Sequence, residues 1–314
     1  MRRSAGVVLG CALGVLACGG DDSAGEDGEP DAATRPPDMQ SDAGSGDAGV
    51  IAGPETCNLS GIWIARQNAE SIAAGQPQYA NTWYYYELTQ RGTELEVTRH
   101  MDCGLEVLGT VNVVVTPATT NALRVHNLQV GRKGTVTPQS DGTCALALER
   151  FWSVRGVSEA RYLPTPRSRD ATLAQLQTEL PLPPASMPAA TEDWDGDGKP
   201  GIGWIVSGIV QGERHTAQRD WTRYFSAPGY TLRAASDFRE DVVVRAEFSV
   251  EEIVYDSSPG LNQVSQPNAA AAHTLTMRFL GRTRDDARAS MVSGDDAVTC
   301  ANVRSALPPT RALR

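Results

Sequence analysis

A two-residue alternation that recurs between Glu55 and Cys300 narrows the fold more than any other feature. Val242, Val244, Ala246, Phe248 and Val250 alternate with Val243, Arg245, Glu247, Ser249 and Glu251. Leu275, Met277 and Phe279 alternate with Thr274, Thr276 and Arg278, and Val111, Val113 and Val115 repeat on a shorter run. Successive side chains of a strand point to opposite faces, so each run reads as a strand with one buried and one wet face. Sheets of that kind are antiparallel. Further strands are expected near Leu59–Arg66, Thr82–Gln90, Thr93–His100, Thr143–Arg155, Ile202–Arg214 and Asp220–Ser226. Leu123 and Val125 fall out of phase with Leu128 and Val130, which predicts a bulge near His126 and Asn127. The expected class is all-β, mainly antiparallel: an elaborated β-barrel or sandwich.

One stretch departs from the alternation. Pro164, Pro166, Pro181, Pro183, Pro184 and Pro188 fall between Glu159 and Glu192. Within it, Leu173, Leu176 and Leu180 make one stripe of a short helix over Asp170–Leu180. The segment 159–201 is therefore a Pro-rich excursion carrying one short helix. It either packs on the barrel or sandwich, or links two β-subdomains. An echo of Ser60-Gly61-Ile62-Trp63 in Ser207-Gly208-Ile209-Val210 speaks for the second arrangement.

The start of the chain reads as an address. Arg2 and Arg3 precede an uncharged run from Ala5 to Ala17, too short to span a bilayer and suited to a signal peptide, residues 1–17. The run ends in Val15-Leu16-Ala17-Cys18, which resembles the lipobox of bacterial lipoproteins. That resemblance implies lipidation at Cys18. It also implies outer-membrane or cell-surface placement, since Gly19 stands where inner-membrane lipoproteins of this kind carry Asp. Residues 18–54 hold nine acids against Arg35 and no aromatic residue. Such a segment buries too little apolar area to order itself, so a disordered acidic linker is expected. It carries −8 of the chain's net −10, and the signal carries +2, which leaves −4 for the rest. The acidity belongs to the tether. With no Lys/Arg-rich stripe, a nucleic-acid partner is not expected. The membrane is the expected partner, through the lipid, and no ligand or protein partner is legible. Residues 55–300 make the β domain, and 301–314 read as a flexible tail.

Cys57, Cys103, Cys144 and Cys300 remain after Cys11 leaves with the signal and Cys18 takes lipid. An even number in an exported chain implies disulfides, and four cysteines allow three pairings. Cys57 opens the first strand and Cys300 follows the last, which become neighbours in a closed β fold. The expected pairs are Cys57–Cys300 and Cys103–Cys144. Without a C-x-x-C pair, zinc is disfavoured.

Three motifs carry chemistry. Gly61-Ile62-Trp63 at the head of the first strand resembles the G-x-W start of lipocalins, which implies an eight-stranded barrel whose cavity binds a small apolar ligand. Trp83-Tyr84-Tyr85-Tyr86 puts aromatics on both faces of one strand: one pair fills the core, and the other can line a ligand cleft or an interface. Trp63, Trp83, Tyr84, Tyr85 and Tyr86 are thus candidate ligand-lining residues. Asp193-Trp194-Asp195-Gly196-Asp197-Gly198-Lys199 resembles the D-x-D-x-D-G loops that bind calcium. Three carboxylates at alternate positions suit a structural Ca²⁺, with the carbonyl of Lys199 as fourth ligand. Trp204 stands where an EF-hand has its bidentate Glu, so affinity should be weak. Gly196, Gly198 and Gly201 match a dinucleotide fingerprint by letters alone, since no parallel βαβ unit surrounds them and the acids would repel a pyrophosphate.

No catalytic signature is legible. His100, His126, His215 and His273 stand alone and read as surface or hydrogen-bonded residues, and neither H-E-x-x-H nor G-x-S-x-G occurs. The expected role is non-catalytic binding of a small ligand, a glycan or a protein by a surface-tethered lipoprotein. An extracellular hydrolase with acid and base on distant strands is the second reading, and a structural envelope protein the third.

Overall fold

The computed structural model describes residues 57–311, except 74, 127, 209, 231, 234–237, 259–260, 262–265 and 269. The expected signal, Cys18 and the linker 18–54 lie outside the described residues. No helix among those described is long and apolar enough to cross a membrane.

The alternating segments form one mostly antiparallel sheet that closes on itself. Its long strands are β1 (Gly61–Ala73), β2 (Gln76–Arg91), β3 (Glu94–Gly109), β4 (Val111–Val115), β5 (Lys133–Pro138), β6 (Thr143–Arg155), β7 (Ile202–Gly208), β8 (Gly212–Phe225), β10 (Val242–Ser257) and β12 (Thr274–Gly281). β9 (Leu232–Arg233) and β11 (Gln266–Pro267) are two-residue additions. Hydrogen bonding runs β1–β2–β3–β4–β7–β8–β10–β12 and returns from β12 to β1, every pair antiparallel. This is an up-and-down ring of eight strands. A second bridge, the β5–β6 hairpin, joins the start of β3 to the second half of β8.

Two expected elements come out differently. The expected strand Ile202–Arg214 is two strands, β7 and β8, with the chain reversing between Gly208 and Gly212. The phase break near His126 is not a bulge but the end of a helix, α1 (Pro117–Val125). Thr116 caps α1, its Oγ1 accepting from the Thr119 N–H at 3.0 Å, and Pro117 starts it. Leu123 and Val125 belong to the last turn of that helix and Leu128 and Val130 to the turn after it, so the two pairs never shared a strand.

The excursion packs on the barrel. β6 and β8, on either side of it in sequence, are paired in one sheet, so it does not link two subdomains. Gly61 opens β1 whereas Gly208 closes β7, so the sequence echo marks no repeat. The excursion holds α2 (Glu159–Tyr162) and α3 (Leu173–Glu179), the latter started by a Thr172–Gln175 capping box. Leu163, Leu176 and Leu182 bury the outward Trp152, Val154 and Ala217. The buried Arg219 ties the excursion down by donating to the Tyr162 and Leu180 carbonyls at 3.2 and 2.6 Å while pairing with Glu251. A Cβ on Gly201, where the chain returns, would meet the Thr216 carbonyl oxygen at 2.2 Å. Gly201 is thus needed for close backbone approach, not for phosphate.

A second cover lies over β1–β3. Residues 301–314 were expected as a flexible tail, but α4 (Asp296–Ala306) runs through the start of that segment and Leu307 is buried. α4 seals Ile62, Ile64, Trp83, Tyr85 and Met101. The Trp83 indole N–H donates to the Leu307 carbonyl at 2.6 Å, and Thr310 bonds Asn68 and Asn81.

This cover also decides the disulfides. All four cysteines are bridged, but as Cys57–Cys144 (Cα–Cα 5.9 Å) and Cys103–Cys300 (4.8 Å), not as the expected Cys57–Cys300 and Cys103–Cys144. Cys300 does not leave the last strand along its edge. It sits in α4, which crosses the outer face of β3 above Cys103, and Cys57 meets the start of β6 instead.

Candidate functional site

The register assigns every strand's inner face. Trp63, Ala65, Gln67 and Ala69 of β1 stand opposite Tyr86, Tyr84, Thr82 and Ala80 of β2. Those in turn face His100, Asp102, Leu105 and Val107 of β3. Val244, Ala246, Phe248 and Val250 keep the inward phase read from sequence, and β8 places Asp220, Thr222 and Tyr224 beside Val250, Phe248 and Ala246. A bulge after Asp102 lets Cys103 point out to α4 and Leu105 point back in, with Gly104 at φ 121°.

One end of the interior is filled. Trp63 packs on Phe238 and Phe279 with ring centroids 5.2 and 5.0 Å apart, among Leu88, Leu95, Val97, Leu146 and Leu148. The other half holds a cavity of about 180 Å³. Its walls are Ala69, Ala80, Leu105, Val107, Val113, Leu123, Trp204, Phe248 and Val250. Small residues at Ala69 and Ala80 leave the space that larger ones would fill. An apolar cavity of roughly 150 Å³ suffices for benzene, so a molecule with one ring fits here.

Polar groups are built into the same cavity. Arg155 lies between two carboxylates, with Nη1 2.5 Å from Asp220 Oδ1 and Nη2 3.3 Å from Asp102 Oδ2. Ser153 Oγ also donates to Asp220 Oδ1 at 3.1 Å, and Asp102 Oδ1 accepts the Gly104 N–H at 3.1 Å. Gln67 Oε1 accepts from the hydroxyls of Tyr224 at 2.6 Å and Tyr84 at 3.4 Å. Nearer β7, Arg214 pairs with Glu252, which also accepts from Gln218. Burial pushes the Asp102 carboxyl above its ordinary pKa, with Arg155 opposing. Burial likewise disfavours the Arg155 charge, but Asp220 and Asp102 outweigh it and hold the guanidinium protonated. Deeper, Arg132 donates to the carbonyls of Glu149 and Thr222 across a bulge in β6 and stacks on Tyr224 at 4.5 Å.

No protein-family model, curated protein or solved structure matches the chain.

The five candidate ligand-lining aromatics divide cleanly. Trp83 and Tyr85 face α4, and Trp63 and Tyr86 belong to the filled end. Of the five, Tyr84 is the one that lines the cavity. All are at most 3% exposed, so none presents a strip to a glycan or a protein.

The Asp-rich loop lies outside the lumen, where the excursion rejoins β7. Carboxylate oxygens of Asp193, Asp195 and Asp197 all come within 4.8 Å of one another. Asp193 Oδ1 and Oδ2 accept the N–H groups of Gly196, Asp197 and Gly198, which curls the loop. Asp195 Oδ2 accepts from Thr119 Oγ1 at 2.6 Å and from the Gly203 N–H at 2.8 Å, tying the loop to α1 and β7. Asp197 takes the Lys199 N–H and His215 Nε2, each at 2.8 Å. Burial raises its pKa, but these bonds together with the charges of His215 and Lys199 outweigh that and hold it below the usual carboxylate range. The Lys199 ammonium turns away to Glu213 at 2.9 Å. Asp195 Oδ1 is buried with no partner among the described residues, so the loop has an orphan acceptor of the kind a hard cation satisfies.

The histidines are less uniform than expected. His126 stacks on Trp194 at 3.6 Å, and His273 Nδ1 accepts the Glu70 N–H at 3.2 Å. His100, by contrast, is fully buried between Tyr84 and Tyr86, and neither ring nitrogen has a partner among the described residues. Burial, with Arg155 and Arg132 adding to it, drives its pKa down to about 3, so the ring is neutral. Arg155, Asp102, Asp220, Gln67, Arg214 and Glu252 were not singled out by sequence motif.

Proposed function

We propose that this chain is a lipoprotein of the outer membrane or cell surface, anchored through Cys18, whose barrel lumen binds a small ligand without turning it over. The cavity inside the closed ring carries this reading. The filled end around Trp63, the eight-strand closure and the open half of the interior fit the lipocalin-like expectation in kind. The polar cluster supports the binding reading: Arg155 ties Asp102 and Asp220 into one ion-paired group beside apolar walls. Mass spectrometry of the mature N-terminus tests the anchor, and an unmodified Cys18 contradicts it.

The lumen is tested by isothermal titration of the full-length protein with benzyl alcohol, beside Ala80→Phe. Ala80 lines the cavity, and a phenyl ring there occupies the space. The wild type should bind, and the variant should lose about tenfold or more in affinity. Equal binding by both would place the ligand elsewhere.

The Asp loop is proposed as a structural Ca²⁺ site, with Asp193, Asp195, Asp197 and the Lys199 carbonyl as ligands. Its convergence and the orphan Asp195 Oδ1 support it. The ion would fix the junction of excursion, α1 and β7. Affinity is expected at about 10⁻⁴–10⁻³ M. Millimolar Ca²⁺ should raise the melting temperature of the wild type and not of Asp195→Asn/Asp197→Asn. No rise in the wild type reduces the loop to an acidic turn.

A further inference from the structure

Two carboxylates and a single guanidinium face the inner part of the cavity, and the chemistry of that imbalance is specific. Asp102 and Asp220 both lean on Arg155. The other ion pair lining the cavity, Arg214 with Glu252, is balanced within itself. The lining therefore carries one negative charge more than positive. Arg132, buried deeper in the barrel, does not line the cavity and spends its donors on Gln129, Thr222 and the Glu149 carbonyl. Asp220 is 7% exposed, and its Oδ2 takes no hydrogen bond among the described residues. That oxygen is not sealed from solvent, and Asp220 lines the cavity, so the donor of an entering ligand can take the place of water there. Tyr84 and Phe248 bring aromatic rings to the same cavity, which suits a cation. Leu105 and Val107 continue an apolar wall on the β3 side.

We propose that the lumen is a receptor for small organic amines: an ammonium group enters first and is held by Asp220 and Asp102, and an apolar body of about one ring fills the space among Leu105, Phe248 and Val250. This rests on the lumen-binding reading and names its ligand class. Ammonium is favoured over a neutral donor because it supplies the missing positive charge as well as the hydrogen bond, and charge-assisted bonds are the stronger. A carboxylate ligand is disfavoured, because it would add a third anion to one guanidinium.

The test is a calorimetric series on the full-length protein at pH 7 with benzylamine, benzyl alcohol and benzoate. The three probes share a ring and differ in the polar end. Benzylamine should bind about tenfold or more tightly than benzyl alcohol, and benzoate weakest. Asp220→Asn should erase the preference for amine while leaving benzyl alcohol binding within about threefold. Asp102→Asn repeats the test should the first variant unfold, and the wild-type ranking needs no variant at all. If alcohol and amine bind equally, or benzoate binds best, the amine proposal is overturned and the lumen reading stands. If none of the three binds, both fall.

Discussion

Replacing Arg155 by Ala should destabilise the barrel by about 3–5 kcal/mol at pH 7, among the largest effects of any single substitution here. Its side chain is 13% exposed, and the two carboxylates it serves are 1% and 10% exposed. Removing the guanidinium does not return those charges to water; it leaves two like charges buried side by side. For a domain of this size the loss corresponds to a melting shift on the order of 10 °C. The sign of its pH dependence follows from the carboxylates. Without Arg155, Asp102 loses the cation that opposes its burial, so its folded-state pKa rises further above the unfolded value. Such a group is most favourable to folding when protonated, below the unfolded pKa, and costs stability as pH rises through the folded pKa. The deficit of the variant should therefore be largest at pH 7 and shrink toward pH 4. Adding Asp102→Asn and Asp220→Asn to Arg155→Ala should recover part of it. Urea melts of the three proteins at both pH values check this. A deficit that is independent of pH would mean that Arg155 acts by packing alone.

Loss of the Cys103–Cys300 bridge is the second large effect. It closes a loop of 197 residues, and a native disulfide of that kind contributes roughly 2–5 kcal/mol. Its removal also frees α4, whose cover of Trp83, Tyr85 and Ile64 depends on the helix staying seated. Cys103→Ser/Cys300→Ser should melt well below the wild type, expose the indole of Trp83 and red-shift its emission. Peptide mapping without reduction should recover Cys57 joined to Cys144 and Cys103 to Cys300. Any peptide joining Cys57 to Cys300 contradicts the placement of α4.

Much of this fold is legible in the strands that are buried on one face. Val242–Val250 and Leu275–Phe279 alternate cleanly and sit in the ring with the inward phase their sequence implies. Legibility fails where a second layer covers the outside. Trp83-Tyr84-Tyr85-Tyr86 is aromatic at every position because Tyr84 and Tyr86 face inward while Trp83 and Tyr85 lie under α4. The disulfide pairing fails for the same reason: it assumes that the chain after β12 stays at the barrel edge. β8 is harder still. Its inward residues are polar (Gln218, Asp220, Thr222), while Ala217 and Trp221 on the outward face lie under the excursion. That inversion is the signal of the polar lumen, and a reading that sends the apolar face inward turns the strand over. The Asp loop, by contrast, is local: Gly196 and Gly198 turn it within a few residues, so spacing alone was enough to bring its carboxylates together.

A crystal structure of the protein soaked with benzyl alcohol tests the central claim most directly. The expected result is one ordered molecule inside the ring, its ring against Leu105, Phe248 and Val250 and its hydroxyl toward Asp220. A lumen holding only water, with the alcohol absent or bound on the outer surface, would contradict it.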